Sequence, residues 1–229
     1  MIEFCLLWDI DGTLLNTHGA GVKPLERAIL DVFGYQVALE RGRYSGYTDY
    51  EIIADLVESD LNDDSVSEKF EEVLNKYTQD LKAALILSPA SPLGKIKETL
   101  RELRFSTPLK SFIGTGNFEP AASVKLESVG LQENFLEKDI FGATSSRKRR
   151  VEIINYAASK LIADCTPIVI GDAPADIFAA KKNNLGVIAT PTGHHSYDEL
   201  NSILPGLVLR PDWSTEDLMC KLDVIAKQL

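Results

Sequence analysis

The sequence predicts an α/β protein in which a doubly wound, parallel, Rossmann-like sheet carries an inserted, all-helical cap domain. Two continuous apolar runs, Phe4–Trp8 and 167–170, have the pattern of strands that are buried on both faces of a parallel sheet. After residue 90, strand patterns alternate with helical patterns, which is typical of βαβ units. From residue 16 to about residue 88 the patterns are helical, which predicts the insertion.

The predicted core domain comprises residues 1–15 and 90–229. Besides the two apolar runs, shorter segments are weaker strand candidates, at 109–113, 139–141, 185–189 and 207–209. Between them, apolar residues recur every three to four positions. This spacing predicts five helices, at 95–103, 119–129, 151–162, 176–183 and 215–227.

Residues 16–88 break the alternation because they contain helical patterns and no convincing strand. Apolar residues follow the spacing i, i+3, i+4, i+7, i+8 in the first of three stripes, Leu25, Ala28, Ile29, Val32 and Phe33. The second and third stripes are centred on Ile53 and Leu74. The prolines of 89–92 predict a linker back to the core. We therefore expect a helical cap domain at 16–89.

Composition narrows the class of protein and of partner. The chain has 229 residues, of which 45% are hydrophobic and 25% charged, as in ordinary globular proteins. Its net charge of −10 disfavours nucleic acids and anionic membranes as partners and favours a small molecule. The start at Met1 lacks the pattern of a signal peptide, and no segment is apolar for long enough to span a membrane. We expect a cytoplasmic protein, monomeric or homodimeric.

The three cysteines, Cys5, Cys165 and Cys220, are far apart in the sequence and odd in number. No C-x-x-C spacing occurs. The pattern therefore predicts neither a disulfide framework nor a zinc site, and it fits a reducing compartment.

Chemically functional residues follow three of the predicted strands. These strand-end segments are Asp9-Ile10-Asp11-Gly12-Thr13, Thr115-Gly116-Asn117, and Gly171-Asp172 with Asp176 four residues later. Because ligands of parallel sheets bind beyond the carboxyl ends of the strands, we expect these groups to share one crevice. Four carboxylates there would repel one another unless a divalent cation were bound. Oxygen ligands suit Mg²⁺ together with a substrate phosphate, so the sequence predicts a phosphate site.

These motifs resemble those of the haloacid dehalogenase-like (HAD) hydrolases. The segments Asp9-x-Asp11-Gly12-Thr13, Thr115 and Gly171-Asp172-x-x-x-Asp176 look like the first, second and fourth motifs of that family, in the same order and strand context. The helical insertion lies where the family has its helical cap. The segments that look most like phosphoglycolate-phosphatase-like members are Gly46-Tyr47-Thr48-Asp49, and Thr115-Gly116-Asn117 followed by Lys125-Leu126.

The resemblance implies a role for each matching residue. Asp9 would be the nucleophile, and an aspartate is ionised at neutral pH without the help of a base. Asp11 would protonate the leaving oxygen and later take a proton from the attacking water. Thr115 would donate a hydrogen bond to a phosphate oxygen, with Gly116 and Asn117 beside it in the substrate site.

The resemblance also implies a metal site and a cation. Mg²⁺ would be held by the Asp9 carboxylate, the Asp11 backbone carbonyl and Asp172, with Asp176 behind them. The third motif is a lysine or arginine that neutralises the phosphoryl charge, and the run 147–150 offers four candidates in place of the more familiar Lys-Pro pair. We prefer Arg150, which shares a helical face with apolar residues, and take Lys148 as the second choice.

Several alternatives stay open from the sequence. Segment 46–49 either lines the pocket, so that Thr48 and Asp49 bind substrate, or is a turn in which Asp49 caps the next helix. His194 and His195 are interpreted as an exposed loop pair. The predicted function is a Mg²⁺-dependent phosphatase for a small phosphorylated metabolite, such as a phosphoglycolate-like monoester. The alternatives are a phosphosugar mutase of the same fold and a non-catalytic regulatory or binding module.

Overall fold

A computed structural model describes residues 3–34, 36–40, 42–60 and 64–228, so Met1 and Ile2 lie outside the described residues. In chain order the elements are β1 (Phe4–Trp8), β2 (Leu15–Asn16), α1 (Val22–Phe33), α2 (Asp49–Leu56), α3 (Asp64–Leu87), β3 (Ser91–Pro92), α4 (Ile96–Ser106), β4 (Lys110–Phe118), α5 (Glu119–Ser128), β5 (Ile140–Ala143), α6 (Arg150–Leu161), β6 (Thr166–Gly171), α7 (Pro174–Lys182), β7 (Gly186–Ala189), α8 (Tyr197–Ile203) and α9 (Thr215–Ala226). The predicted fold class is confirmed. The five predicted core helices are present, with ends shifted by at most three residues.

The main sheet is parallel, and its strand order is β5-β4-β1-β6-β7. The chain runs from β1 to β4 and β5 on one side and then crosses to β6 and β7 on the other. The strand order therefore reverses between β1 and β6, and in such sheets the ligand crevice opens at this point. Asp9 and Asp172 follow these two strands directly.

Strand β1 is buried on both faces, as its unbroken apolar sequence predicts. Cys5 and Leu7 face one apolar cluster, which includes residues of α6, α7 and the inserted helices. Leu6 and Trp8 face the other cluster, which includes residues of α4 and α9. All four side chains are fully buried. The strand that precedes Asp9 is therefore held from both sides.

Helices α1, α2 and α3 lie between β2 and β3, which pair with each other as an antiparallel ribbon of two residues each. Within the described residues, the expectation of helices and no strand at 16–88 is confirmed except at Asn16, whereas the predicted linker at 89–92 contains β3. The chain that leaves the core passes beside the chain that returns, and their backbones pair even though Pro92 lacks a donor. The domain boundaries at 15/16 and 89/90 stay predictions.

Two elements of the core differ from the sequence-based expectation. Segment 207–209 is not a strand of the sheet but makes a single bridge, between Val208 and Ala189. Helix α8 was not predicted, although Ser196 and Glu199 form a capping box at its start, a pattern that the sequence displays. Among the described residues, no helix has both the length and the apolar character that a bilayer span requires.

Cys5 and Cys165 form a disulfide, with their Cα atoms 5.8 Å apart, so the expectation of unpaired cysteines is wrong. They are 160 residues apart in the chain, but the parallel pairing of β1 with β6 sets Phe4 opposite Thr166. Sequence spacing could not reveal this proximity because it depends on the register of two strands. Cys220 is a free, exposed cysteine.

We predict that Cys165→Ser lowers the free energy of unfolding by about 2–4 kcal/mol, because the bond closes a very long loop in the unfolded chain. Urea denaturation of oxidised protein measures this loss, and a reductant should reproduce it in the wild type. Cys220→Ser is the matched control and should leave stability unchanged. The prediction would be contradicted if Cys165→Ser and wild type unfolded at the same urea concentration under oxidising conditions.

Candidate active site

Three buried aspartates meet at the point where the strand order reverses. Asp9 follows β1, Asp172 follows β6 and Asp176 lies in the first turn of α7. Their relative exposures are 3%, 4% and 0%, and one carboxylate oxygen from each lies within 4.8 Å of the others. Burial, reinforced by the charges of Asp9 and Asp176, raises the pKa of Asp172 well above its ordinary value. Burial also raises the pKa of Asp176.

Arg150 supplies the cation of this cluster. It is the first residue of α6, and its guanidinium Nη1 lies 2.6 Å from Asp176 Oδ1 and 3.2 Å from Asp9 Oδ1. Nε donates a hydrogen bond of 3.3 Å to the carbonyl oxygen of Gly46 in the inserted region. The guanidinium therefore joins the aspartate cluster to the loop before α2.

Small residues crowd the carboxylate of Asp172. Thr13 Oγ1 donates a hydrogen bond of 3.1 Å to its Oδ1. A Cβ at Gly12 or at Gly193 would overlap the carboxylate, so both positions require glycine for space. Gly12 also has φ +79°, a conformation that other residues rarely adopt. Thr192 Oγ1 donates to the Gly12 carbonyl oxygen at 2.6 Å and ties the loop after β7 to this turn.

The aspartate cluster fits a small divalent cation. Its donors are carboxylate oxygens, which hard cations prefer. Asp9 Oδ1 is buried and, beyond its ion pair with Arg150, accepts no hydrogen bond within the described part of the chain, which leaves a lone pair for another ligand. Asp9 and Asp172 lie on either side of the crevice, and a cation there would relieve their repulsion.

A second charged group surrounds Asp11. Its Oδ2 accepts hydrogen bonds from Lys125 Nζ and from Asn117 Nδ2, both at 2.7 Å. Asn117 Nδ2 also lies 2.8 Å from the Oγ1 of Thr115, which is fully buried. Lys125 is itself buried, which lowers its pKa. Nearby Asp11, Tyr77 and Asp49 more than offset this, so its pKa is raised above the ordinary value.

The segment 46–49 docks onto the core. Thr48 caps α2 by accepting a hydrogen bond from the Glu51 N–H, and its hydroxyl donates to the backbone oxygen of Lys148 at 2.5 Å. Asp49 Oδ2 accepts a hydrogen bond of 2.8 Å from the N–H of Phe118. A Cβ at Gly116 would lie 2.8 Å from the Tyr47 carbonyl oxygen, so close docking depends on this glycine.

A cavity of about 490 Å³ lies between the inserted helices and the core. The core contributes both charged groups described above and His194, and the inserted region contributes an apolar and aromatic wall. The lining includes Asp9, Asp11, Asp172, Asn117, Lys125, Arg150, Leu25, Leu39, Tyr44, Tyr47, Asp49, Ile52 and Tyr77. The cavity could therefore hold a polar group at its base and a less polar group against the helices.

The structure brings most of the predicted site residues together. Asp9, Asp172 and Asp176 form one group with Arg150, and Asp11, Thr115 and Asn117 form another. A Cβ at Gly116 would lie 3.1 Å from the Arg150 guanidinium, and Asp49 lines the cavity. Thr48 faces the core, and the helix cap is this residue and not Asp49. Lys148 contributes a backbone oxygen to Thr48 and does not line the cavity, whereas Arg150 does.

Three residues of the cavity were not singled out as site residues from the sequence. His194 lines the cavity and lies against Gly42, although it is exposed as predicted. Tyr77 lies in the third apolar stripe, three residues after Leu74, and it lines the cavity close to Lys125. Lys125 could have been found, because it lies on the same face of α5 as the buried Ala121, where a solvated lysine is not expected.

The model of the haloacid dehalogenase-like hydrolase family matches residues 6–190 of the chain, well over half of its length. No curated protein matches the sequence. The matched segment contains every aspartate of the two charged groups, together with Arg150 and Lys125.

Solved structures share the fold over nearly the whole chain. A predicted phosphatase from Clostridium acetobutylicum is 21% identical, with a TM-score of 0.71 and 99% of each chain covered. A hydrolase from Pseudomonas syringae is 22% identical, with a TM-score of 0.67, covering 97% of this chain and 99% of that one. A mutant of CbbY from Rhodobacter sphaeroides, in complex with xylulose-(1,5)bisphosphate, is 18% identical, with a TM-score of 0.67, covering 91% and 100%. At these identities the likeness shows the fold.

We predict that Arg150→Met lowers the free energy of unfolding by about 3–5 kcal/mol, because it leaves buried carboxylates without their cation. Urea denaturation at neutral pH in the presence of EDTA measures the loss. Lys160→Met, an exposed change on the same helix, is the control and should stay within about 0.5 kcal/mol of wild type. The prediction fails if the two variants are equally stable.

Proposed function

We propose that this chain, which belongs to the haloacid dehalogenase-like hydrolase family, is a Mg²⁺-dependent phosphatase that cleaves a small phosphate monoester through an aspartyl-phosphate on Asp9. The observation that carries the proposal is the placement of Asp9. It is buried at the base of the cavity between Arg150 and Asp172, and its Oδ1, although 3.2 Å from the Arg150 guanidinium, accepts no hydrogen bond within the described residues. A nucleophile needs a lone pair that is not already held by a hydrogen bond.

The first chemical step transfers the phosphoryl group to the protein. An Asp9 oxygen forms a bond to phosphorus while the bond from phosphorus to the ester oxygen breaks. Asp11 donates a proton to the departing alkoxide, which leaves as an alcohol. Arg150, which lines the cavity, and the hydroxyl of Thr115, which is buried beside Asn117, would stabilise the charge on the non-bridging oxygens.

The second step returns the protein to its starting state. Asp11, now deprotonated, takes a proton from a water molecule whose oxygen bonds to phosphorus. The bond between phosphorus and Asp9 breaks, and inorganic phosphate is released. Asp11 can serve both steps because its side chain is 41% exposed toward the cavity while Lys125 and Asn117 fix its other oxygen.

Asp9, Asp172 and the backbone carbonyl of Asp11 would hold Mg²⁺, and Asp176 would support them through Arg150 and the N–H of Ala173. When bound, the cation supplies positive charge that draws the phosphate to Asp9 and balances the acidic cluster. The all-oxygen donor set suits hard cations such as Mg²⁺ better than softer ones such as Zn²⁺.

The substrate we propose is a small phosphorylated metabolite, and the inserted region, taken as a cap at 16–89, selects it. Thr48 and Asp49 belong to the docked segment that closes the cavity, which favours the pocket interpretation over a plain turn. A phosphoglycolate-like ester and a phosphorylated sugar both agree with the cavity volume of about 490 Å³. The non-catalytic alternative has no support, because the aspartates that chemistry requires are all present.

A cytoplasmic location belongs to the same proposal. The acidic composition supports a small-molecule partner there. The Cys5–Cys165 bond is the observation that weighs against it, because stable disulfides are rare in reducing compartments.

We predict that the purified chain releases phosphate from 4-nitrophenyl phosphate in the presence of Mg²⁺ and that EDTA abolishes the release. Asp9→Asn should lower kcat by more than about a thousandfold, because it removes the nucleophile. The exposed change Asp212→Asn is the control and should retain full activity. Equal turnover by Asp9→Asn and wild type would refute the role of Asp9.

We also predict that Mg²⁺ raises the Tm more at pH 8 than at pH 5. Folding raises the pKa of Asp172 and Asp176 above the ordinary value of 3.8, so the metal-free protein loses stability as the pH rises through those raised values. Mg²⁺ binds the deprotonated carboxylates and restores stability, by about 2.7 kcal/mol at a hundred times its Kd. Differential scanning calorimetry measures the shift, which Asp172→Asn should diminish. A shift independent of pH would count against the site.

A further inference from the structure

Lys125 is a buried cation that the phosphoryl chemistry described above does not use directly. Its side chain is 7% exposed, on the core helix α5. The ammonium donates to Asp11 Oδ2 at 2.7 Å and to Asn117 Oδ1, and it interacts with the hydroxyl of Tyr77. Asp11 and Asn117 therefore accept two of the three hydrogens of the ammonium.

The contacts of Lys125 fix the orientation of Asp11. Oδ2 of Asp11 accepts one hydrogen bond from Lys125 and one from Asn117, both at 2.7 Å. Because an ammonium and an amide both donate to Oδ2, the other oxygen of Asp11, Oδ1, is left to exchange a proton with the ester or with water. Without the lysine, a partly exposed carboxylate would rotate among several orientations.

The same ammonium also contacts the inserted helices. Tyr77 belongs to α3, and its hydroxyl reaches Lys125 across the boundary between insertion and core. Asp49, the first residue of α2, is close enough to Lys125 to influence its charge and is bonded to the core at Phe118. Withdrawal of these helices would take Tyr77 and Asp49 away from the ammonium and admit water to it.

We propose that Lys125 is a positioning residue that orients Asp11 for proton transfer and does so fully only when the cap helices are closed over the cavity. This inference rests on the proposed phosphatase function. In this inference, α5 couples closure of the cap to the orientation of the general acid Asp11. This role is separate from the binding of the phosphoryl group by Arg150.

The test compares two esters that differ in their need for an acid. The alcohol of glycerol 2-phosphate must be protonated to leave, whereas 4-nitrophenolate leaves without a proton. We expect Lys125→Met to slow phosphoenzyme formation from glycerol 2-phosphate about ten- to a hundredfold in a single turnover with Mg²⁺. Formation from 4-nitrophenyl phosphate, followed by the burst of 4-nitrophenol, should change by less than about threefold.

Two further variants separate the parts of the inference. Tyr77→Phe removes only the link to the cap. It should slow the reaction of glycerol 2-phosphate more than that of 4-nitrophenyl phosphate, as Lys125→Met does, but by a smaller factor. Lys125→Arg should recover part of the rate that Lys125→Met loses. Lys82→Met is the matched control, because Lys82 and Glu127 join the same two helices, α3 and α5, at the surface with 3.6 Å between their charged atoms. An exposed pair of this kind contributes little, so its rates should equal those of wild type.

The outcomes distinguish this inference from the proposed function. If wild type forms no phosphoenzyme from either ester, the proposed function fails. If wild type is active but Lys125→Met slows both esters equally, or neither, the lysine does not position the acid and the inference is overturned. If Lys125→Met does not fold, as circular dichroism would show, Tyr77→Phe decides, and an equal effect on both esters overturns the inference.

Discussion

The structure depends on the pairing of buried negative charge with two buried cations. Five aspartates surround one crevice, and each buried carboxylate that lacked a partner would cost several kcal/mol. Arg150 lies among Asp9, Asp172 and Asp176, and Lys125 lies beside Asp11 and Asp49. Both cations come from helices of the core. The acidic residues that chemistry requires can therefore be concentrated without unfolding the sheet that carries them.

Both cations also contact the inserted region, which gives the charge balance a second role. Arg150 donates to the Gly46 carbonyl oxygen, and Lys125 interacts with the Tyr77 hydroxyl. Enclosure of the cavity and neutralisation of its acids therefore use the same side chains. A substrate that brings its own negative charge changes the surroundings of both cations, so occupancy of the cavity and placement of the cap helices are energetically coupled.

The sequence was sufficient to predict the parts of the fold that burial dictates. The apolar runs of β1 and β6 and the acidic residues that follow them are local patterns. Helical periodicity was likewise enough to predict that Arg150 points inward. The ribbon of β2 and β3 is too short to have a period. Lys125 was noted in a motif but given no role, because the amphipathic pattern treats a lysine as solvated and only the tertiary structure shows the acids that surround it. Similarly, the stripe containing Tyr77 predicts its burial but not the partner of its hydroxyl.

The Cys5–Cys165 bond makes a covalent ring of the segment between these residues, and this ring contains all of the inserted helices. A protease that cuts any one peptide bond within the ring opens it without separating the two pieces. The fragment carrying β1 stays attached to the fragment carrying β6, so Asp9 and Asp172 remain neighbours after the cut. Nicked protein would therefore migrate as one species until it is reduced, and the cap could be cleaved while the sheet beneath it stays joined.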